Sequence, residues 1–473
     1  MTAESPMRLG ALREPVLDRA AAMVARAWRS FDDARESEPE IGFALAELLA
    51  EPMPQTGRDP MAALDELEAV LDHSIAQARP RYLAFVGSSG LEIGAVADLL
   101  AHSYDVNLAV DARAASRLED QTAEWLAEFL GYPAAGGWFT SGGTISNLSG
   151  LAAARERALP GARRTGMAGV TGALYCSAEA HYSVSRAAEL LGLGSDAVRD
   201  IPVDHYTRQM RTPLLREAIE ADQASGVVPV AVVATAGTTL TGAVDPLDEV
   251  ADICEDLGVW MHIDGAYGLP AAATSRRPIF VGMERADSLC VDAHKWLFVP
   301  KACSALLVRD PSALAAVFSH DEAYMPHDEV IPNAVDLTLE YSRPMRALKL
   351  WLAFRVHGAE EFRAALERNL EQARLCHDLA SASDDFEVMP LRPALSVVPV
   401  RHVTPGCPDI DLHNAALTEA LQRDGRVYVS PATIDEQEWL RPCFTNVRTR
   451  THDVHVFLDV AHELGTAICP GHR

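Results

Sequence analysis

Four places in this 473-residue sequence combine residue types that could do chemistry. The first is Lys295, in Asp292-Ala293-His294-Lys295-Trp296, directly after an apolar stretch. Lysines are rarely buried, and a desolvated lysine loses basicity and becomes a nucleophile toward carbonyls. A surface lysine lying over Trp296 is the plainer alternative. The second is Asp264 in His262-Ile263-Asp264-Gly265-Ala266-Tyr267-Gly268, closing another apolar stretch. A buried carboxylate needs a cation, a protonated nitrogen or several donors, although a helix cap would also use one. The third is His181, at the start of a helical pattern in Ala180-His181-Tyr182-Ser183. Taken alone, it reads as a cap or a surface residue. The fourth is Thr140-Ser141-Gly142-Gly143-Thr144, a turn of small residues. Backbone N–H groups at a helix start, with no bulky side chain in front of them, cradle a phosphate. The same turn alone is also an ordinary strand-to-helix connection.

Together the four supply a phosphate cradle, a flat ring, a carboxylate and an amine. These are the contacts that pyridoxal 5′-phosphate requires: amides for the phosphate, an imidazole stacked on the ring, an aspartate for the ring nitrogen and a lysine for the aldehyde.

The elements that must position them follow from the hydropathy pattern. From 91 to 355, apolar runs at 137–140, 173–177, 198–201, 228–235, 259–264, 288–292 and 302–308 alternate with helical stretches such as 146–158, 183–192, 212–225 and 246–257. This predicts an α/β domain with a mainly parallel seven-stranded sheet covered on both faces. Ligands of such sheets lie beyond the carboxyl ends of the strands, where the four features fall. Before it, 1–90 is expected to be a helical segment, with helices at 16–30 and 61–78, that packs on the main domain or on a partner subunit. After it, 356–473 is expected to be a smaller α+β domain with a helix at 359–382, strands near 394–400 and 426–429, and a last helix at 453–465. Its boundary is expected inside a continuous helix around 344–357.

Composition narrows the partners. The 41 basic and 67 acidic residues give a formal charge of −26. A general nucleic-acid binder shows a basic face instead, and an anionic membrane surface would repel this chain. No apolar run approaches the ~20 residues of a membrane span. Met1 to Pro15 lacks a signal-peptide pattern. The eight cysteines form no C-x-x-C pair and no zinc spacing, so they read as reduced thiols in a cytoplasmic protein, and no metal is expected.

The sequence resembles the pyridoxal-phosphate-dependent group II amino-acid decarboxylases, which include the aromatic-amino-acid, histidine and glutamate decarboxylases. The matching segments run from RPRYLAF (79–85) and ADLLAHSYDVN (97–107) through FTSGGTISNL (139–148), EAHYSVSRAAELLG (179–192) and VATAGTTLTGAVDPL (233–247). They continue with WMHIDGAYG (260–268), DAHKW (292–296), SRPMRALKLWLAFRVHG (342–358) and LRPCFTNVRT (440–449). The resemblance implies the fold-type I architecture, and a homodimer with active sites at the subunit interface. It implies that Lys295 carries the cofactor, that His181 stacks on its ring and takes part in catalysis, and that Asp264 pairs with the ring nitrogen. Ala266 would pack on the other ring face, Gly142, Gly143 and Thr144 would hold the phosphate, and Thr239 would lie near the ring oxygen. His294 would lie near the phosphate. Asp292 stands where the family often has asparagine. Tyr82 and Phe85 would help line the substrate pocket.

The implied reaction is decarboxylation of a small-molecule L-amino acid, with an apolar or aromatic side chain favoured, to the amine and carbon dioxide. In the family a loop tyrosine delivers the proton to Cα. Here the corresponding interval, 321–339, carries Tyr324 at its start, and the aligned position near Ala334 has no tyrosine. Tyr324, His327 or His181 could serve instead. Without such a donor, decarboxylation coupled to oxidative deamination, yielding an aldehyde, is the alternative on the same scaffold. A catalytically silent binding protein is a third reading, opposed by the intact Lys295, Asp264 and His181.

Overall fold

The computed structural model describes residues 7–35, 37, 40–320 and 333–468. Tyr324 and His327 lie outside the described residues. The main sheet contains β1 (Gly136–Thr140), β2 (Gly172–Ser177), β3 (Val198–Ile201), β4 (Val228–Thr235), β5 (Trp260–Asp264), β6 (Ser288–Val291) and β7 (Ser304–Val308). Their spatial order is β1-β7-β6-β5-β4-β2-β3. Strands β3, β2, β4, β5 and β6 are parallel, and β7 is inserted antiparallel between β6 and β1. All seven expected strands are present, in a mainly parallel sheet.

Burial on both faces explains the near-continuous apolar runs. Along β4, Val232 and Ala234 enter one apolar layer while Ala231 and Val233 enter the other, because successive side chains point to opposite faces. One layer packs beneath the helices Ala114–Leu130 and Leu247–Leu257, the other beneath Gly143–Ala158 and Ser183–Leu190. Each fully buried valine contributes about 1.5–3 kcal/mol relative to exposure.

A second, antiparallel sheet contains β8 (Phe386–Val388), β9 (Val400–His402), β10 (Ser430–Ile434) and β11 (Gln437–Arg441), in the order β10-β11-β9-β8. The strands expected near 394–400 and 426–429 are displaced. Pro393 and Pro399 cannot donate to a ladder, so this stretch pairs only through a single bridge, Val397 to Cys443, before β9 begins. Tyr428 likewise makes one bridge, to Tyr82. The helix expected at 61–78 is Pro60–Asp72, capped by Asp59. It stops early because the Ser74 hydroxyl and the His73 ring bond back to the carbonyls of Val70 and Ala69. The helical run Ala347–Ser381 is not continuous: Gly358, at φ 74°, breaks it.

A buried histidine pair ties β9 to the helix Ile410–Asp424. His402 Nδ1 lies 2.8 Å from His413 Nε2, and Thr404 Oγ1 and His462 are close by. Burial, then repulsion from His413 and His462, pushes His402 down to about 4 against the pull of Asp385. An unfolded histidine titrates near 6.5. The neutral pair therefore stabilises the fold fully above that pH, and the contribution is lost as pH falls toward 4. The expected loss is on the order of 3 kcal/mol. Thermal melts of wild type and His402→Gln across this window check it, the variant showing the shallower dependence.

Candidate active site

The carboxyl ends of β1, β2, β4, β5 and β6 open onto a cavity of about 250 Å³. Its walls bring together all ten catalytic and cofactor residues expected from the sequence. Gly142, Gly143 and Thr144 follow β1, His181 follows β2, and Thr239 follows β4. Asp264 ends β5, in register with Thr235 of β4 and Cys290 of β6. Ala266 follows it. Asp292, His294 and Lys295 follow β6.

Lys295 Nζ lies 3.1 Å from Asp292 Oδ2, and a quarter of the lysine side chain is open to the cavity. Burial alone would lower its basicity, but the Asp292 and Asp264 carboxylates outweigh it and hold the ammonium above its ordinary range. This corrects the expectation of a lysine made nucleophilic by desolvation: the counter-charge wins. His181 is different. Burial lowers its pKa, and Lys295 adds to this, although Asp264 pulls the other way. Its Nδ1 accepts the Ser183 N–H at 3.2 Å, so the neutral ring carries its proton on Nε2. Asp264, only 6% exposed, accepts from Asn147 Nδ2 at 2.9 Å and from the Ala266 N–H at 3.2 Å. His294 Nδ1 lies 2.9 Å from the Cys303 carbonyl, and burial keeps this ring neutral too.

These residues fit pyridoxal 5′-phosphate. The turn opens the helix Gly143–Ala158, and the space in front of Gly142 is empty where a Cβ would stand. Asp264 is a buried carboxylate with neutral donors and no direct cation contact among the described residues, and a protonated ring nitrogen would supply one. Asp292 Oδ1 is buried without a hydrogen-bond partner. A Cβ on Gly143 would stand 3.1 Å from both Ala266 Cβ and Asp292 Oδ2. Gly143→Ala is therefore expected to crowd Ala266 and Asp292, lowering the melting temperature of the cofactor-free protein and weakening cofactor binding about tenfold, the worth of ~1.4 kcal/mol. Titration with the cofactor and a melt check the two halves.

Tyr82 and Phe85 do not join this cavity. Tyr82 stacks on Tyr428 at 5.3 Å, and Phe85 is 54% exposed. Sequence reasoning also missed wall residues: Asn147, Ser183, Thr235, Gly237 and Tyr267. Asn147 was the most accessible of these, one helical turn from Thr144 and so on the same face.

A buried arginine links the site to the second sheet. Arg208 Nε donates to Glu179 Oε1 at 2.7 Å, two residues before His181, and its Nη1 reaches Asp435 Oδ2 at 2.8 Å in the turn between β10 and β11. Arg441, on β11, donates to the Thr239 carbonyl at 2.8 Å. The loops carrying His181 and Thr239 are thus both braced from the same sheet.

Comparison with known proteins agrees with this geometry. The pyridoxal-dependent decarboxylase conserved domain matches residues 44–401. An aromatic-L-amino-acid decarboxylase of Bacillus atrophaeus is 33% identical over 86% of this chain and 85% of its own length. An L-2,4-diaminobutyrate decarboxylase of Rhizobium meliloti is 32% identical over 87% and 83%. The crystal structure of Oryza sativa TDC with PLP and tryptamine superposes with a TM-score of 0.91, at 25% identity, covering 99% of this chain and 100% of that one.

Proposed function

Since the chain belongs to the pyridoxal-dependent decarboxylase family, with pyridoxal 5′-phosphate as its cofactor and a carboxy-lyase chemistry, we propose that it converts an L-amino acid with an apolar or aromatic side chain to the amine and carbon dioxide. The observation that carries this is the convergence of Lys295, Asp264, His181 and the glycine turn on one cavity. Among the described residues, Lys295 is the only lysine or arginine in its walls. Arg346 is committed to Glu340, and neither it nor Arg113 lines the cavity. No described cation is therefore free there to clamp an acidic side chain.

When bound, the cofactor supplies a conjugated ring that accepts the electron pair left by the departing carboxylate. The protein's own groups do the rest. The Lys295 amine would hold the cofactor through its aldehyde, and Asp292, 3.1 Å away, keeps that amine in place at the cavity wall. Asp264 would hold a proton on the ring nitrogen. His181, with its proton on Nε2, would cover the cofactor ring, and the small Ala266 would leave room for it. The glycine turn would hold the phosphate and, through it, the orientation that favours one bond over the others. Purified enzyme with added cofactor, offered a panel of amino acids, tests the proposal: carbon dioxide and amine appear in equal amounts, fastest with apolar or aromatic side chains. Equal or faster turnover of aspartate or glutamate would overturn the substrate class.

The absence of a tyrosine at Ala334, which opens the short helix Ala334–Asp336, supports a second reading. In it the amino acid, dioxygen and water give aldehyde, carbon dioxide, ammonia and hydrogen peroxide. Peroxide formed in step with carbon dioxide, with oxygen consumed, would select it over simple decarboxylation.

The assembly is proposed to be a homodimer with its active sites at the interface. Its N-terminal helices expose Phe43, Leu49 and Leu71, and the next helix exposes Leu99 and Tyr104, apolar side chains that a partner subunit would cover. Light scattering at micromolar concentration is expected to give twice the chain mass. The seven described cysteines are all free thiols, which supports a cytoplasmic location. No described helix is long and apolar enough to cross a membrane.

A further inference from the structure

Behind Asp264 runs a chain of buried polar side chains that the reaction does not touch. Trp260, His262 and Asp264 alternate along β5 and share one face, while Met261 and Ile263 enter the opposite layer. Trp260 Nε1 donates to Ser288 Oγ at 2.9 Å. Ser288 Oγ lies 2.8 Å from His262 Nδ1, its neighbour in register across β5 and β6. His262 Nε2 lies 3.0 Å from Asn147 Oδ1, and Asn147 Nδ2 donates to Asp264 Oδ2 at 2.9 Å. His262 and Ser288 are fully buried, Asn147 and Trp260 nearly so.

The two ends fix the direction of every bond between them. An indole N–H can only donate, so the serine oxygen accepts there, and its hydrogen remains for His262 Nδ1 once the Asp264 end has set that nitrogen as the acceptor. His262 must then carry its proton on Nε2 and give it to Asn147 Oδ1. That leaves the Asn147 amide N–H facing the carboxylate, which can only accept. Read from the other end, the result is the same: a flipped Asn147 would set its oxygen against Asp264. Burial pushes His262 down to about 4, so the links between Trp260 and Asp264 are neutral. Room for them is made by Gly150, where a Cβ would stand 2.9 Å from the His262 ring.

We propose that Trp260, Ser288, His262 and Asn147 act as a one-way hydrogen-bond relay that locks a donor onto Asp264 and thereby sets how firmly the cofactor's ring nitrogen holds its proton. They are positioning residues: none but Asn147 lines the cavity. The inference rests on the cofactor assignment above. Losing the Ser288 hydroxyl frees His262 to take the other tautomer and Asn147 to flip, which places an oxygen against the carboxylate and favours its protonation.

The test is Ser288→Ala, with Trp260→Phe as a second break at the far end and Ser288→Thr as the hydroxyl-retaining control. Each is prepared as holoenzyme with 15N-labelled pyridoxal 5′-phosphate. The ring-nitrogen resonance is followed against pH, beside kcat and KM. In Ser288→Ala the pH at which the ring nitrogen loses its proton is expected to fall by about one unit, the tenfold worth of one hydrogen bond. The kcat value is expected to fall about tenfold with KM changed less than about twofold, while Ser288→Thr stays near wild type. Trp260→Phe is expected to move the midpoint in the same direction. Loss of packing alone would lower stability without moving that midpoint. A midpoint and kcat unchanged in both Ser288→Ala and Trp260→Phe overturn the relay while leaving the cofactor assignment standing. A wild type that takes up no cofactor overturns both.

Discussion

Replacing Lys295 by arginine is expected to abolish turnover, by about four orders of magnitude, and to remove the visible band of the lysine-bound cofactor, while leaving the melting temperature nearly unchanged. The choice of arginine follows from the 3.1 Å contact between Lys295 Nζ and the buried Asp292. Alanine would remove the nucleophile and also strand a buried carboxylate, which costs several kcal/mol. Loss of activity in Lys295→Ala would then mix chemistry with folding. A guanidinium keeps the charge and cannot condense with the aldehyde. A visible band persisting in Lys295→Arg would place the cofactor on another amine, and Lys301 and Lys349 are the other lysines near this end of the sheet. Lys349 is already committed to Asp98 at 2.9 Å.

Asp264→Asn is expected to lower kcat by about a hundred- to a thousandfold, the range in which a preorganised charge acts on a transition state. Cofactor uptake should persist. The amide is nearly isosteric, its single oxygen can still accept one of the two N–H groups, from Asn147 or from Ala266, that Asp264 takes on separate oxygens, and the phosphate cradle is untouched. What goes is the negative charge that would keep the ring nitrogen protonated. Saturating carbon dioxide release, measured alongside cofactor stoichiometry, separates the two effects. A variant with full cofactor and wild-type kcat would deny Asp264 its role.

The parts of this site that were legible in the sequence share one property. Lys295, Asp264, His181 and the Gly142–Thr144 turn each stand just beyond an apolar run, so local pattern marked both the strand and the odd residue at its end. The partners of those residues were not legible, because topology rather than local pattern brings them together. Asn147 and Asp264 are 117 positions apart and Arg208 and Asp435 are 227 apart. Nothing in either neighbourhood announces the other. The ionisation of Lys295 failed for the same reason: its basicity is set by Asp292 and Asp264, and burial alone predicted the opposite sign. In the fold, strands buried on both faces were unmistakable, whereas β8 to β11 were displaced or missed. They are short, and β10 alternates buried and exposed residues, a fainter signal than the solid apolar run of β4. Tyr82 and Phe85 were placed by resemblance alone, and within this chain neither lines the cavity.

The Arg208 brace also constrains how this protein can vary by recombination. A C-terminal segment exchanged with a relative, joined anywhere after β7, would bring its own residue to position 435 and its own β11. It would meet a resident Arg208 and Glu179 that had been matched to a different hairpin. Unless the donor also presents an acid in the β10–β11 turn and an arginine at position 441, the exchange releases the loops bearing His181 and Thr239 together. Hybrids in this family should therefore fail or succeed according to four distant positions, 179, 208, 435 and 441, travelling as a set, even when every wall residue of the cavity is inherited intact.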